Sequence, residues 1–184
     1  MEHFRKAAFL DRDGVINIDR AYVYKWSDFQ FIPGSIDAMR ALKQAGFALV
    51  IVTNQSGIAR GYFSEAQYQA LTINMMQVLA DAGVVVDSVY HCPHHPAGVV
   101  AELTIECDCR KPSPGMIFRA ARELNLSLPH SIFVGDKPSD IQAARAAGVG
   151  RAYKVHSDNP ESALELTGAD ASYLDLYRCV VDIL

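Results

Sequence analysis

Short apolar runs alternate with amphipathic stretches along this chain. Continuous apolar runs are typical of strands buried on both faces of a sheet, and they predict strands at residues 7–10, 47–52, 84–90, 132–134 and 152–153. Apolar residues at helical spacing predict helices at 35–46, 65–83, 114–124, 140–147 and 173–184. Strands separated by helices imply right-handed crossovers. The pattern therefore predicts an α/β protein with a Rossmann-like, doubly wound parallel sheet.

Polar residues and glycines mark the ends of several predicted helices. Ser35 is placed to cap the first helix, and Ser64 with Gln67 forms an S-x-x-Q capping box at the start of the second. The apolar spacing puts Phe118 on the inward face of the third helix. Gly148 follows the fourth helix and is expected to end it.

Polar clusters directly follow three of the apolar strands. They are Asp11-Arg12-Asp13 after the first strand, Thr53-Asn54 after the second and Gly135-Asp136-Lys137 after the fourth. Ligands of doubly wound sheets bind outside the carboxyl ends of the strands. We therefore expect these clusters, with Arg110 and Lys111, to converge on one edge. The D-x-D-G sequence alone would be explained equally well by a solvated acidic turn, but this convergence disfavours the acidic turn.

The expected edge combines carboxylates with cations, which suits a phosphate site. Carboxylates alone would repel an anion, whereas carboxylates with Mg²⁺ and a lysine would bind a phosphate. Mg²⁺ takes oxygen ligands and commonly uses one or two carboxylates. A carboxylate can also act as a nucleophile and form an aspartyl-phosphate. These residue types favour phosphoryl chemistry.

Four ordered motifs resemble those of the haloacid dehalogenase superfamily. They are D-x-D-G at 11–14, Thr53 after the second strand, Lys111 ahead of a helix, and G-D-x-x-x-D at 135–140. Their order and spacing cover most of the chain. The resemblance implies hydrolysis of a phosphate ester through a covalent aspartyl-phosphate.

The resemblance also implies a role for each motif residue. Asp11 would be the nucleophile, and Asp13 would protonate the leaving alcohol and then deprotonate the attacking water. Thr53 and Lys111 would stabilise the phosphoryl group. Asp11, Asp136 and the backbone carbonyl of Asp13 would hold Mg²⁺.

The gaps between the motifs leave no room for a large cap domain, so short loops are expected to select the substrate. The sequences T-N-Q-S-G-I-A-R-G at 53–61 and C-x-C-R-K-P at 107–112 resemble a zinc-loop subgroup of the superfamily. The candidate substrate-binding residues are Asp19, Arg20, Ala21, Tyr22, Thr53, Asn54, Gln55, Ser56, Arg60, Arg110, Lys111 and Lys137.

The subgroup resemblance implies a heptose bisphosphate as substrate, with histidinol phosphate or another small phosphorylated metabolite as the alternative. A heptose 1,7-bisphosphate would lose its 7-phosphate on the path to nucleotide-activated heptose for the lipopolysaccharide core. Its second phosphate could contact Arg60, Arg110 or Lys137, although each could also be a solvated surface cation. Histidinol phosphate would need an aromatic-lined, anionic pocket, which the Arg and Lys cluster disfavours. A zinc-stabilised binding module without chemistry is a third alternative, which the presence of all four motifs disfavours.

Two Cys/His pairs predict a zinc site in a loop at 92–109. Cys92-x-His94 and Cys107-x-Cys109 together supply four ligands, the set of a closed structural zinc site without catalytic chemistry. His95 could replace His94, and His91 is a lesser candidate. Because Arg110 and Lys111 follow Cys109 at once, zinc would position these two cations. Cys179, in an apolar stretch, is predicted to be a small core residue.

Composition excludes several classes of protein. The chain has 184 residues, of which 50% are hydrophobic and 21% are charged, and its formal net charge is −4. We expect one domain over residues 1–184. The absence of a basic stripe argues against nucleic acid as a partner. No apolar run is long enough to span a bilayer, and no signal-peptide pattern is present, so a cytoplasmic location is expected. The resemblance implies a monomer.

Overall fold

The computed structural model describes residues 4–156 and 168–184. Parts of the predicted single domain, residues 1–3 and 157–167, lie outside this description. Within the described residues, six strands form one sheet: β1 (Ala7–Leu10), β2 (Ala48–Asn54), β3 (Ser88–Cys92), β4 (Ile132–Gly135), β5 (Arg151–Val155) and β6 (Ala171–Tyr173). Every neighbouring pair is parallel, in the order β3-β2-β1-β4-β5-β6. The predicted doubly wound parallel sheet is confirmed.

Helices cover both faces of this sheet. The described helices are α1 (Ser35–Gln44), α2 (Glu65–Asp81), α3 (Gly115–Glu123), α4 (Pro138–Ala147) and α5 (Leu176–Ile183). Ala8 and Leu10 of β1 pack with α1, α2 and α5, whereas Ala7 and Phe9 pack with α3 and α4. Alternate residues of one strand thus enter two cores, which explains why the strands read as continuous apolar runs.

The centre of the sheet creates the crevice that positions the site. β1 pairs with β2 on one side and β4 on the other, so Phe9 lies between Val50 and Phe133. The chain winds outward in opposite directions from β1 and β4, and such a switch point opens a crevice at the carboxyl ends of the strands. Asp11 follows β1 directly, and Asp136 follows β4.

Local signals predicted some helix ends correctly and others wrongly. Ser64 and Gln67 form the expected capping box, and Gly148 ends α4 in the left-handed conformation. Gly34 is the N-cap of α1, so the prediction for Ser35 was wrong; Ser35 is buried in the first turn. Phe118 is 46% exposed, because α3 turns Met116, Ile117 and Ala120 inward instead.

The C-terminal segment also differs from its predicted helix at 173–184. Residues 171–173 form the edge strand β6, which pairs with Tyr153–Val155, and α5 begins only at Leu176. The segment Ala-Ser-Tyr is short and interrupted by a polar residue, so its strand depends on pairing with β5 rather than on local pattern.

The connecting loops around the crevice contain little regular secondary structure. Loops 11–34 and 93–114 contain single 3₁₀ turns, Trp26–Asp28 and Ala101–Leu103. The prediction that no large cap domain covers the crevice is therefore confirmed. Among the described residues, no helix combines the length and apolarity needed to cross a membrane.

Candidate active site

A buried ammonium group lies at the centre of the crevice. Lys111 is only 3% exposed, and its Nζ lies 3.0 Å from Asp11 Oδ1 and 2.7 Å from Asp140 Oδ1. The same Nζ donates a hydrogen bond to the Val52 carbonyl at 2.8 Å. Three acceptors thus face the three protons of the ammonium, which stabilises a charge that burial alone would make costly.

Asp11 is a buried carboxylate whose pKa is subject to opposing effects. Burial raises its pKa to about 6, while the charge of Lys111 opposes the rise and the charges of Asp140 and Asp13 add to it. The Arg12 backbone N–H donates to Oδ1 at 2.8 Å and orients the group. At neutral pH the carboxylate is therefore mostly ionised and held in one place.

Asp13 has the opposite electrostatic environment. Burial would raise its pKa, but the Arg12 guanidinium and hydrogen bonds from Asn17 and Gln55 outweigh burial, so the pKa lies below its usual value. Arg12 Nη2 lies 2.9 and 2.8 Å from the two oxygens of Asp13. Asn17 Nδ2 and Gln55 Nε2 donate at 2.9 and 3.0 Å. The Asp13 carboxylate is thus fixed by three neighbouring side chains.

Thr53 lies at the end of β2, where its hydroxyl is oriented by Gln55. The Gln55 Nε2 group donates to Thr53 Oγ1 at 2.8 Å as well as to Asp13. Because the Thr53 oxygen acts as acceptor in that bond, its own proton can point to another acceptor. Thr53 can therefore serve as a hydrogen-bond donor to a bound anion.

Three carboxylates of the crevice form a group suited to a hard cation. Oxygens of Asp11, Asp136 and Asp140 all lie within 4.8 Å of one another. Burial and the charge of Asp11 raise the pKa of Asp136 to about 8. Asp136 Oδ1 is buried and finds no hydrogen-bond partner within residues 4–156 and 168–184. A bound cation would relieve the repulsion among these carboxylates, and Mg²⁺ prefers such oxygen donors. Asp140 uses one oxygen for Lys111 Nζ and the other for the Lys137 N–H, whereas these contacts of Asp11 fall on Oδ1 alone. Asp11 and Asp136 are therefore the better placed ligands.

A cleft of about 550 Å³ opens above Lys111. Its lining includes nine of the predicted substrate-binding residues: Asp19, Ala21, Tyr22, Asn54, Gln55, Ser56, Arg110, Lys111 and Lys137. Lys137 Nζ lies 3.0 Å from Asp19 Oδ2, so an ion pair links the loop after β1 to the start of α4. The carboxyl ends of the strands thus bring the predicted residues together, as the fold class implies.

Arg20 and Arg60 point elsewhere. Arg20 is exposed, and its Nη2 donates to Gln30 Oε1 at 2.8 Å. Arg60 Nη2 lies 2.9 Å from Nε2 of His95, on the loop between the two Cys/His pairs. Neither arginine is among the residues that line the cleft. The structure therefore does not join these two predicted residues to the others.

The predicted zinc ligands form a compact cluster. The three Sγ atoms of Cys92, Cys107 and Cys109 lie 3.2 to 3.5 Å apart, and His94 Nδ1 lies 3.3 Å from Cys109 Sγ. Ligands of a tetrahedral zinc lie about 3.8 Å from one another, so small outward shifts would admit the ion. Hydrogen bonding with Cys92, supported by Cys107 and His94, lowers the pKa of Cys109 to about 5, although burial opposes this.

The geometry distinguishes among the candidate histidines. His94 belongs to the cluster, whereas His95 contacts Arg60 and His91 contacts Glu65. Cys179 is fully buried in the core, as predicted.

Sequence reasoning missed several groups that organise the site. Asp140 appeared only as a motif position, yet its carboxylate contacts Lys111 and accepts a hydrogen bond from the Lys137 backbone N–H at 3.0 Å. Arg12 and Asn17 were given no role, although both bind Asp13. Arg12 lies between the two aspartates and Asn17 lies four residues after Asp13, so both could have been suspected as local partners. Only the folded loop shows which atoms meet.

Comparisons with known proteins agree with this arrangement. Residues 2–148 match the model of a hydrolase family described as haloacid dehalogenase-like hydrolase. A D-glycero-beta-D-manno-heptose-1,7-bisphosphate 7-phosphatase of Yersinia pestis is 54% identical over 164 residues, which cover 89% of this chain and 87% of that protein. The protein of the same name from Escherichia coli K12 is 55% identical over 154 residues, which cover 84% and 81%.

A solved structure extends the comparison to the fold. The D,D-heptose 1,7-bisphosphate phosphatase of B. bronchiseptica, in complex with magnesium and phosphate, superposes with a TM-score of 0.84 at 37% identity. The match covers 96% of this chain and 97% of that one. Architecture and sequence therefore agree over nearly the whole length.

Substitution of Gly14 tests whether Asp136 must remain free to bind a cation. Gly14 has φ +82°, and a Cβ there would lie 2.4 Å from Asp136 Oδ2. We expect Gly14→Ala to displace the carboxylate and to weaken Mg²⁺ binding by about 10- to 100-fold, as disturbed ligand support does elsewhere. Isothermal titration with Mg²⁺ measures this change.

Gly148→Ala is the matched control for backbone strain. Gly148 has φ +75°, but a Cβ there meets nothing within 4 Å. Both variants should lose about 1–2 kcal/mol from the left-handed conformation, and only Gly14→Ala should affect Mg²⁺. Equal Mg²⁺ affinity in the two variants would contradict the proposed steric cause.

Proposed function

This chain belongs to the haloacid dehalogenase-like hydrolases, and we propose that it is a Mg²⁺-dependent phosphatase that removes the 7-phosphate of D-glycero-beta-D-manno-heptose 1,7-bisphosphate. The observation that carries the proposal is the Asp11 carboxylate held 3.0 Å from the buried Lys111 ammonium, under a cleft lined by further cations. The product would enter the synthesis of nucleotide-activated heptose for the lipopolysaccharide core.

In the first step Asp11 attacks the phosphorus of the 7-phosphate. A bond forms between the carboxylate oxygen and phosphorus, and the bond from phosphorus to the sugar oxygen breaks. Asp13 gives its proton to that leaving oxygen. Lys111 and the hydroxyl of Thr53 stabilise the negative charge of the phosphoryl oxygens. Asp11, Asp136 and the backbone carbonyl of Asp13 would hold Mg²⁺, which would neutralise further negative charge.

The second step returns the enzyme to its starting state. Asp13, now ionised, takes a proton from a water molecule whose oxygen attacks phosphorus, and the bond to Asp11 breaks to release inorganic phosphate. The surroundings of Asp13 favour this ionised form. A substrate dianion nearby adds a like charge that raises the pKa of Asp13. Binding of substrate therefore promotes the protonated form that the first step needs.

The cationic lining favours a bisphosphate over histidinol phosphate. Arg110 and Lys137 line the same cleft as Lys111. A second phosphate would be attracted to these cations, whereas a cationic imidazolyl group would be repelled. Arg110 also donates to the His94 carbonyl at 3.4 Å, which ties it to the Cys/His cluster.

Zinc has a structural role in this proposal. Zinc bound by Cys92, His94, Cys107 and Cys109 would stabilise the loop that ends directly before Arg110 and Lys111. A closed four-ligand set leaves no open position for substrate. The proposal further places the protein in the cytoplasm as a monomer.

A substrate comparison tests the proposed specificity. We expect kcat/KM for the heptose bisphosphate to exceed that for histidinol phosphate by at least about 100-fold, because the cations of the cleft would lack a partner in the latter. Phosphate release with each substrate, at saturating Mg²⁺, measures the ratio. Equal values would refute the proposed specificity while leaving the phosphatase chemistry intact.

Asp11→Asn tests the nucleophile. The amide keeps the shape of the side chain and cannot attack phosphorus, so kcat should fall by a factor on the order of 10⁴ or more. Asp28→Asn, at an exposed position in loop 11–34, should keep normal activity. Substantial turnover by Asp11→Asn, with Mg²⁺ present, would exclude Asp11 as the nucleophile.

Metal analysis tests the zinc site. We expect one zinc ion per chain, and Cys107→Ser should lose zinc, thermal stability and activity together because the loop carrying Lys111 loses its anchor. Cys179→Ala, which removes a thiol outside the cluster, should keep its zinc. A fully active preparation without zinc would contradict the proposed positioning role.

A further inference from the structure

The side chain of Asn54 is occupied by the backbone of Lys111. The Lys111 N–H donates to Asn54 Oδ1 at 3.0 Å, and Asn54 Nδ2 donates to the Lys111 carbonyl at 3.0 Å. We propose that Asn54 is a positioning residue whose function is to hold Lys111 against Asp11, rather than a residue that binds substrate. The proposal rests on the role given to Lys111 under the proposed function.

Lys111 needs such a partner because it lies outside the helices and strands. A buried backbone N–H and C=O must find hydrogen bonds, and a loop provides no ladder for them. A primary amide presents a donor and an acceptor in one plane, and it can therefore pair with both groups of a single residue. Asn54, at the end of β2, is placed to do this.

The position of the backbone determines where the ammonium lies. Lys111 Nζ contacts Asp11, Asp140 and the Val52 carbonyl at 2.7 to 3.0 Å, in a space where the lysine is 3% exposed. A backbone shift of about 1 Å would break contacts of this length, and shifts of that size can cost about 100-fold in rate. The amide pair therefore acts on catalysis through Lys111.

Asn54 also joins the Lys111 loop to the Cys/His cluster. Asn54 is paired with Cys92 in the β2–β3 register, and Cys109 lies two residues before Lys111. Cys92 and Cys109 are 3.2 Å apart at their sulfur atoms. The segment that carries Lys111 is thus held from its N-terminal side by the cluster and at Lys111 itself by Asn54.

A double-mutant cycle with p-nitrophenyl phosphate as substrate tests this inference. We expect Asn54→Ala to lower kcat by about 10- to 100-fold while KM changes less than about twofold. Lys111→Ala should lower kcat further, and the double variant Asn54→Ala/Lys111→Ala should match Lys111→Ala alone, because a positioning residue has nothing left to position. Effects that multiply in the double variant, or a raised KM with normal kcat in Asn54→Ala, would overturn the proposal.

Two controls keep the outcomes separate. Zinc content and thermal unfolding of each variant report whether the loop has lost its fold; if Asn54→Ala loses zinc, Asn54→Asp replaces it in the cycle. Asn54→Asp has the same shape and keeps the acceptor for the Lys111 N–H but loses the donor, so it should also lower kcat. Combined with Lys111→Ala, it should lower kcat no further than Lys111→Ala alone. Normal activity of Lys111→Ala would instead refute the role of Lys111 under the proposed function, and this inference with it.

Discussion

The buried contact of Lys111 with Asp11 and Asp140 is the interaction on which the site depends. An ammonium group at 3% exposure is stable only if its charge and its protons are matched. The match comes from three different elements: Asp11 after β1, the Val52 carbonyl of β2, and Asp140 in the first turn of α4. Because these elements surround the switch point of the sheet, the contacts of this one lysine connect loop 93–114 to both sides of the crevice.

Burial alone raises the pKa of every carboxylate in the crevice. The neighbouring charges and hydrogen-bond donors then make these pKa values differ from one another. Asp136 has its pKa raised to about 8, because Lys137 and Lys111 only partly oppose its burial and the charge of Asp11. Asp13, two residues from Asp11, has its pKa lowered because Arg12, Asn17 and Gln55 outweigh the same burial. Within D-x-D-G the two carboxylates also differ, because burial raises the pKa of Asp11 to about 6, whereas the Arg12 charge and hydrogen bonds favour the ionised form of Asp13.

Much of the fold was predictable because burial on two faces imposes a simple pattern. The runs at 7–10 and 132–134 gave strands β1 and β4 within one residue, and the polar residues after them met at the crevice as expected. Where a short segment depends on its neighbour, prediction failed: β6 needs the edge of β5, and Ser35 lies inside a helix that Gly34 begins. The choice of His94 over His95 also required the folded loop, since sequence spacing accommodates either residue.

The sequence by itself determined the sheet class, the four clusters of chemistry-bearing residues and the two Cys/His pairs, because each depends on residue type and spacing. Only the tertiary structure decided which atoms meet. In the folded chain Arg60 contacts His95, and Asp140 contacts Lys111. The amide of Asn54 binds the backbone of Lys111. These assignments join residues far apart in the chain, and hydrogen-bond geometry at 3 Å follows from the packing of several elements rather than from any local pattern.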